Sequence, residues 1–97
     1  ICLLINEAMH VLQEGVASPE DIDDAMRIGY QFPYGPLEMA DRFGLDSVLA
    51  ALERMFREYG ELKYRPSTIL KKMVRAGQLG MKSGEGFFQY DKDGDRV

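Results

Sequence analysis

The chain has 97 residues, of which 45% are apolar and 29% charged, and carries a net charge of −4. That apolar share is too high for a disordered segment. The length suits one folded domain and excludes a dinucleotide-binding domain beside a substrate domain. An acidic balance without a long basic stripe argues against nucleic acid as a partner, and no apolar run approaches the ~20 residues that span a bilayer.

The first residues, Ile1-Cys2-Leu3-Leu4-Ile5, have no starting Met, no basic leader region and no helix N-cap. They are expected to continue a longer chain rather than to be a signal peptide. Cys2 is the single cysteine, so no internal disulfide can form, which fits a reducing, cytoplasmic setting. A first helix is expected over residues 3–14, with Leu4, Ala8, Val11 and Leu12 on its inner stripe. Ser18 and Pro19 are the N-cap and first residue of a second helix. Glu20 and Asp21 suit its positive end, and Ile22, Ala25 and Met26 face inward, with Gly29 at the margin.

Gly15, Gly29, Gly44, Gly60 and Gly77 each close an apolar-periodic stretch, where a left-handed residue ends a helix. Pro33 and Pro36 keep residues 30–35 in a loop. Pro36 opens a short third helix over 37–43. A fourth helix, 46–59, buries Val48, Leu49, Leu52, Met55 and Phe56. Pro66 and Ser67 introduce a fifth, with Ile69, Leu70, Met73 and Val74 inward. Beyond Gly77 the glycines forbid a helix, and Phe87-Phe88-Gln89-Tyr90 reads as a short extended segment held by its aromatics. The fold class is all-α, a domain of helical hairpins over residues 1–90 with a glycine-rich extended end, followed by a polar tail over 91–97.

Charge is uneven along the chain. Residues 1–61 hold 12 acids and 4 bases, whereas residues 62–97 hold 4 acids and 8 bases, a pattern read as a solvated basic helix face. His10, the single histidine, has Glu7 and Glu14 one turn away, yet a lone histidine on an amphipathic helix is read as a surface residue. Cys2 has no activating base beside it. Glu20, Asp21, Asp23 and Asp24 cluster in a helix first turn, where acids are stabilising without any metal. Asp91-Lys92-Asp93-Gly94-Asp95 fails as a calcium loop because its glycine stands fourth instead of sixth. The stretch Gly77-Gln78-Leu79-Gly80-Met81-Lys82-Ser83-Gly84-Glu85-Gly86 lacks the strand and helix of a phosphate-binding fingerprint and is read as a structural turn.

Four segments in order carry a resemblance. They are Asn6-Glu7-Ala8 leading to Glu14-Gly15-Val16-Ala17-Ser18-Pro19-Glu20-Asp21-Ile22-Asp23; Phe32-Pro33-Tyr34-Gly35-Pro36-Leu37-Glu38; Asp41-Arg42-Phe43-Gly44-Leu45-Asp46; and Leu79-Gly80-Met81-Lys82-Ser83-Gly84-Glu85-Gly86-Phe87-Phe88-Gln89-Tyr90. Together they resemble the C-terminal domain of the 3-hydroxyacyl-CoA dehydrogenase family.

The resemblance implies an oxidoreductase of fatty-acid or butanoate metabolism that converts 3-hydroxyacyl-CoA to 3-ketoacyl-CoA. It places NAD and the catalytic His–Glu pair on a Rossmann domain outside this sequence. The helical domain is implied to help form the acyl-CoA pocket and a homodimer. The family's Asn-Arg pair falls before Ile1, so Asn6 is not its equivalent and no catalytic, cofactor-binding or metal-binding residue is assigned. The loop Phe32, Pro33, Tyr34, Gly35, Pro36 and Leu37 matches the family segment beside the acyl pocket and is expected to touch substrate. The alternative expectation is a non-catalytic helical oligomerisation module, such as a decayed duplicate domain.

Overall fold

The structure, a computed structural model, describes the backbone of residues 2–15, 17–31 and 33–97, and the side chains of these except Cys2 and Tyr30. Five α-helices follow one another: α1 (Cys2–Gln13), α2 (Pro19–Tyr30), α3 (Pro36–Phe43), α4 (Leu45–Tyr59) and α5 (Thr68–Arg75). Short 3₁₀ turns at Leu62–Tyr64 and Met81–Ser83 precede and follow α5. Among the described residues there is no strand; the C-terminal part is tied by isolated antiparallel bridges, Gly80 to Glu85, Glu85 to Gln89 and Tyr90 to Arg96. The all-α class therefore holds, and so does the glycine-rich extended end. None of the helices is long and apolar enough to cross a membrane.

Capping explains the helix starts. The Ser18 hydroxyl accepts the Asp21 amide at 3.2 Å and Pro19 occupies the first helical position, where its missing N–H is no loss. Ser67 does the same for α5, accepting the Leu70 amide. Glycine ends α4 in the left-handed region at Gly60. The second helix departs from expectation here. It runs through Gly29 without a break and closes at Gln31, whose φ is 57° and whose amide reaches Arg27 O. A helical glycine costs only about 1 kcal/mol relative to alanine, too little to end the helix there.

The core is built from every helix: Ile5, Ala8 and Met9 of α1, Ile22 of α2, Leu37 and Ala40 of α3, Leu45, Val48 and Leu52 of α4, and Leu70 of α5, closed by Phe88 and Tyr90. The inner stripe of α1 is turned by one residue from the expected one. Ile5 and Met9 are fully buried, Leu4 and Leu12 half-buried, and Val11 exposed. On α2, Ile22 is buried and Met26 half-buried, but Ala25 and Gly29 face solvent. The short helix α3 lies centrally, packed on α1, α2 and α4.

What anchors the C-terminal segment to α3 is Asp41, which has no exposed surface. Its carboxylate accepts the amides of Phe87 and Phe88, each at 3.0 Å, and the Tyr90 hydroxyl at 2.7 Å. Two glycines permit this approach. A Cβ on Gly80 would overlap the Asp41 backbone, and one on Gly86 would overlap its carboxylate. The glycine-rich stretch is thus shaped around an internal acid, and the expected structural turn is what the fold contains.

Because the atoms facing Gly86 belong to a buried carboxylate with three partners, they have nowhere to move. Gly86→Ala is expected to lower unfolding stability by about 2–3 kcal/mol, the scale of an overpacked core. Urea unfolding of the variant against wild type checks this, and a loss below about 0.5 kcal/mol would contradict the stated packing.

Candidate functional site

The loop between α2 and α3 divides into two parts. Pro33 and Tyr34 are exposed, Tyr34 retaining 37% of its surface, whereas Gly35, Pro36 and Leu37 are buried. Phe32 lies outside the described residues. Of the residues expected to touch a ligand, the structure therefore presents Pro33 and Tyr34 to solvent and uses the next three to fix them in place.

The fixing group is Asp23, reached from α2. Its two carboxylate oxygens accept the amides of Leu37 and Glu38, each at 2.8 Å. These are first-turn donors of α3 with no partner inside their own helix. Gly35, which precedes α3, has no side chain to cap it, and any Cβ there would strike Asp23. The reading of Asp23 as one more exposed acid in a helix first turn is thus corrected. Glu20, Asp21 and Asp24 are exposed, but Asp23 is buried and caps a different helix.

Glu38 and Arg42 occupy consecutive turns of α3. Glu38 Oε2 accepts Arg42 Nε at 3.2 Å and Nη2 at 3.0 Å. The Arg42 guanidinium carbon stands 4.1 Å from the centre of the Tyr34 ring. From the C-terminal side, Arg96 Nη1 donates to Glu38 Oε1 at 3.1 Å and its guanidinium carbon covers the Phe88 ring at 3.8 Å. A buried carboxylate is thereby shared by two arginines, each stacked on an aromatic ring.

Ionisation follows from burial. Desolvation lifts the Asp23 carboxyl above its ordinary range; the Leu37 and Glu38 amides pull it back in part, and the Glu38 charge adds to the rise. Asp41 is likewise lifted by burial against its hydrogen bonds from Tyr90, Phe87 and Phe88. Tyr90 is pushed up, first by burial and then by Asp41, so its hydroxyl stays a donor. Burial opposes the charge on Arg42, but its bonds to Glu38 outweigh that and strengthen its hold on the proton.

The remaining candidates lie elsewhere. His10 is exposed on α1. Asn6 is buried, and all its polar atoms serve the fold: Nδ2 donates to Arg65 O at 2.8 Å and to Lys63 O at 3.4 Å, and Oδ1 accepts the Ser67 amide. Cys2 lies outside the described side chains. Asp91, Asp93 and Asp95 come together in an exposed turn, where Asp91 Oδ1 accepts the amides of Asp93 and Asp95. Lys82 pairs with Asp46 in the first turn of α4. Asn6, Asp23 and Asp41 stand in the segments that carry the resemblance, but nothing local marks their roles, since their partners lie 14 to 61 residues away in sequence.

The fold defines an all-α domain in which two buried carboxylates, Asp23 and Asp41, brace the loop before α3 and the C-terminal segment. The chain is a member of the 3-hydroxyacyl-CoA dehydrogenase family, because the model of that family's C-terminal domain matches residues 1–90. It is 53% identical over 87 residues to a probable 3-hydroxybutyryl-CoA dehydrogenase of Deinococcus radiodurans, covering 90% of this chain and 31% of that protein. A probable 3-hydroxybutyryl-CoA dehydrogenase of Bacillus subtilis is 48% identical over 89 residues, covering 92% and 31%. The crystal structure of (S)-3-hydroxybutyryl-CoA dehydrogenase from Ralstonia eutropha superposes with a TM-score of 0.90 at 49% identity, covering 94% of this chain and 32% of that one. The chain thus spans about a third of the length of these relatives.

The direction of the Asp23 shift sets a pH dependence. A carboxyl with a raised folded pKa stabilises fully below its unfolded value of 3.8, and that contribution is lost as pH rises through the folded value. The stability of wild type relative to Asp23→Asn is therefore expected to fall as pH rises above the unfolded value of 3.8. Urea midpoints at a series of pH values measure it, and a difference that grows with pH would reverse the stated sign.

Proposed function

We propose that this chain is the substrate-side domain of an NAD-dependent 3-hydroxyacyl-CoA dehydrogenase, which oxidises the 3-hydroxyl of an acyl-CoA thioester to the 3-ketone in fatty-acid (β-oxidation) or butanoate metabolism. The observation that carries this is the family match across residues 1–90. It is supported by relatives named as 3-hydroxybutyryl-CoA dehydrogenases. The loop geometry agrees with it. A pocket for an apolar acyl chain needs a wall that does not give, and Pro33 and Tyr34 stand on a segment immobilised by two prolines and by Asp23. In this reading residues 32–37 form part of that wall, Pro33 and Tyr34 by contact and Gly35, Pro36 and Leu37 as the support beneath them.

NAD supplies the hydride acceptor when bound, and its site is assigned to the part of the enzyme beyond this domain. The residues here do not fit it. The glycines at 80 and 86 are closed off by Asp41, which fills the space a pyrophosphate would need. The contribution of this chain is then to bind, orient and exclude water from the acyl group. The exposed apolar side chains of Ile28, Phe43, Tyr59 and Leu62 supply surface for a homodimer. The same exposed side chains favour a second reading, an oligomerisation module without an acyl-CoA role. A cytoplasmic setting belongs to the proposal and rests on the family and on the single cysteine.

In the complete enzyme, acetoacetyl-CoA with NADH is expected to give steady turnover. Tyr34→Ala is expected to raise KM about tenfold, equivalent to about 1.4 kcal/mol of lost apolar contact, with kcat nearly unchanged. The isolated 97-residue chain is expected to give no turnover. Cofactor-dependent turnover by the isolated chain, or an inactive complete enzyme, would overturn the proposal. An unchanged KM in Tyr34→Ala, together with self-association of the chain, would favour the oligomerisation module.

A further inference from the structure

The stack described above links two segments that are far apart in sequence. Tyr34 lies in the loop before α3, Glu38 and Arg42 on α3, and Arg96 and Phe88 in the C-terminal segment. In space they form one row: the Tyr34 ring, the Arg42 guanidinium, the Glu38 carboxylate, the Arg96 guanidinium and the Phe88 ring.

Each contact in the row restricts the next. The Glu38 side chain is almost fully buried, at 11% exposure, so it cannot follow a moving arginine. Its Oε2 accepts two donors from Arg42, Nε and Nη2, which converge on the one oxygen and fix where that edge of the guanidinium lies. A cation held at that edge is kept against the Tyr34 ring, 4.1 Å from its centre. Arg96 holds the other oxygen of the same carboxylate, and its charge also reaches Asp23, the cap of α3. Removing Arg96 would leave the Asp23 and Glu38 carboxylates near one another with a single arginine between Glu38 and solvent. Glu38 Oε1 would then lose its donor, and the carboxylate that holds Arg42 would be fixed from one side only.

We infer that Arg42 is the positioning residue for Tyr34, and that Arg96 holds Arg42 in register through Glu38, so that the C-terminal segment sets the shape of the substrate-facing loop. The inference rests on the proposed role of Tyr34 in acyl-CoA binding and adds what controls that role. It gives residues 91–97, a polar stretch by composition, a part in ligand affinity through one side chain. Neither arginine needs to touch the substrate. Their effect passes through the ring, and it acts on binding rather than on the chemical step.

The test uses the complete enzyme with acetoacetyl-CoA and NADH. Arg42→Gln and Arg96→Gln are each expected to raise the KM for acyl-CoA about threefold to tenfold while kcat changes less than about twofold. Arg96→Lys, which keeps a cation at the single contact to Glu38, is expected to recover most of the loss. Arg42→Lys keeps the charge but not the paired donors, and is expected to recover little. The double variant Arg42→Gln/Arg96→Gln is expected to be no worse than Arg42→Gln alone, because Arg96 acts through Arg42. A KM that stays at the wild-type value while the melting temperature falls would reduce both residues to fold supports and overturn the inference, as would additive losses in the double variant. Variants that fail to fold are replaced by Arg96→Lys and Arg42→Lys, for which equal KM values overturn it. If wild type turns over and these variants match it, the positioning role alone is lost; a wild type without turnover overturns the parent reading and this inference together.

Discussion

A carboxylate without solvent is the constraint around which this domain is arranged. Asp41 sits inside α3 with three donors converging on it, two from the backbone of residues 87 and 88 and one from Tyr90. In a sheet, those amides would be satisfied by a neighbouring strand. Here the C-terminal segment has only isolated bridges, and a side chain takes the place of the missing strand. Much follows from that substitution. The segment must approach α3 closely, so positions 80 and 86 must lack a Cβ. Phe88 and Tyr90 are then carried into the core beside Leu37 and Ala40.

The same device is used at the other end of α3. Asp23 supplies the two acceptors that the helix start lacks, with Gly35 pressed against it. In both cases burial raises the carboxyl pKa despite the hydrogen bonds, so neither acid is held at no cost. An apolar group in place of either acid would leave those amides without a partner, and the carboxylates also fix geometry. An apolar contact tolerates sliding; a carboxylate that accepts two specific amides does not. The start of α3 and the path of residues 87–90 are each fixed to a narrow range of positions. The loop between α2 and α3 gains its rigidity from the first of these.

The helices were legible because their signals are local. Ser18-Pro19, Pro36 and Ser67 mark starts through contacts within three or four residues, and the apolar spacing of α4 identifies its inner face without further knowledge. Gly29 looks like a terminator, but the left-handed residue that closes α2 is Gln31. The other failures have a common cause in distance. Asp23 reads as a dipole-stabilising acid because its partners lie 14 and 15 residues ahead on another helix. Asn6 reads as an ordinary helical residue, although it closes the connector before α5 some 60 residues later. The prolines mark a loop over 30–35 and the family resemblance marks 32–37, yet the exposure of Pro33 and Tyr34 above a buried Gly35, Pro36 and Leu37 depends on which side Asp23 approaches, and no pattern in the sequence encodes that.

A domain that lends one loop to a site built elsewhere faces a particular physical problem. Its contribution is only as good as the fixity of that loop, because motion in the wall of an apolar pocket admits water and lowers the value of each contact. What lies against the Tyr34 ring is the Arg42 guanidinium, 4.1 Å from its centre. A solvated cation would be a poor clamp, since its side chain carries several free rotations. Glu38 removes that freedom by taking two donors from Arg42, and burial removes the freedom of Glu38 in turn. Rigidity is thus passed outward from the core to an exposed ring by charged groups, through a helix whose two ends are already fixed by Asp23 and Asp41. The central position of α3, short as it is, makes this possible: a helix at the edge of the domain could anchor the loop or the C-terminal segment, but not both.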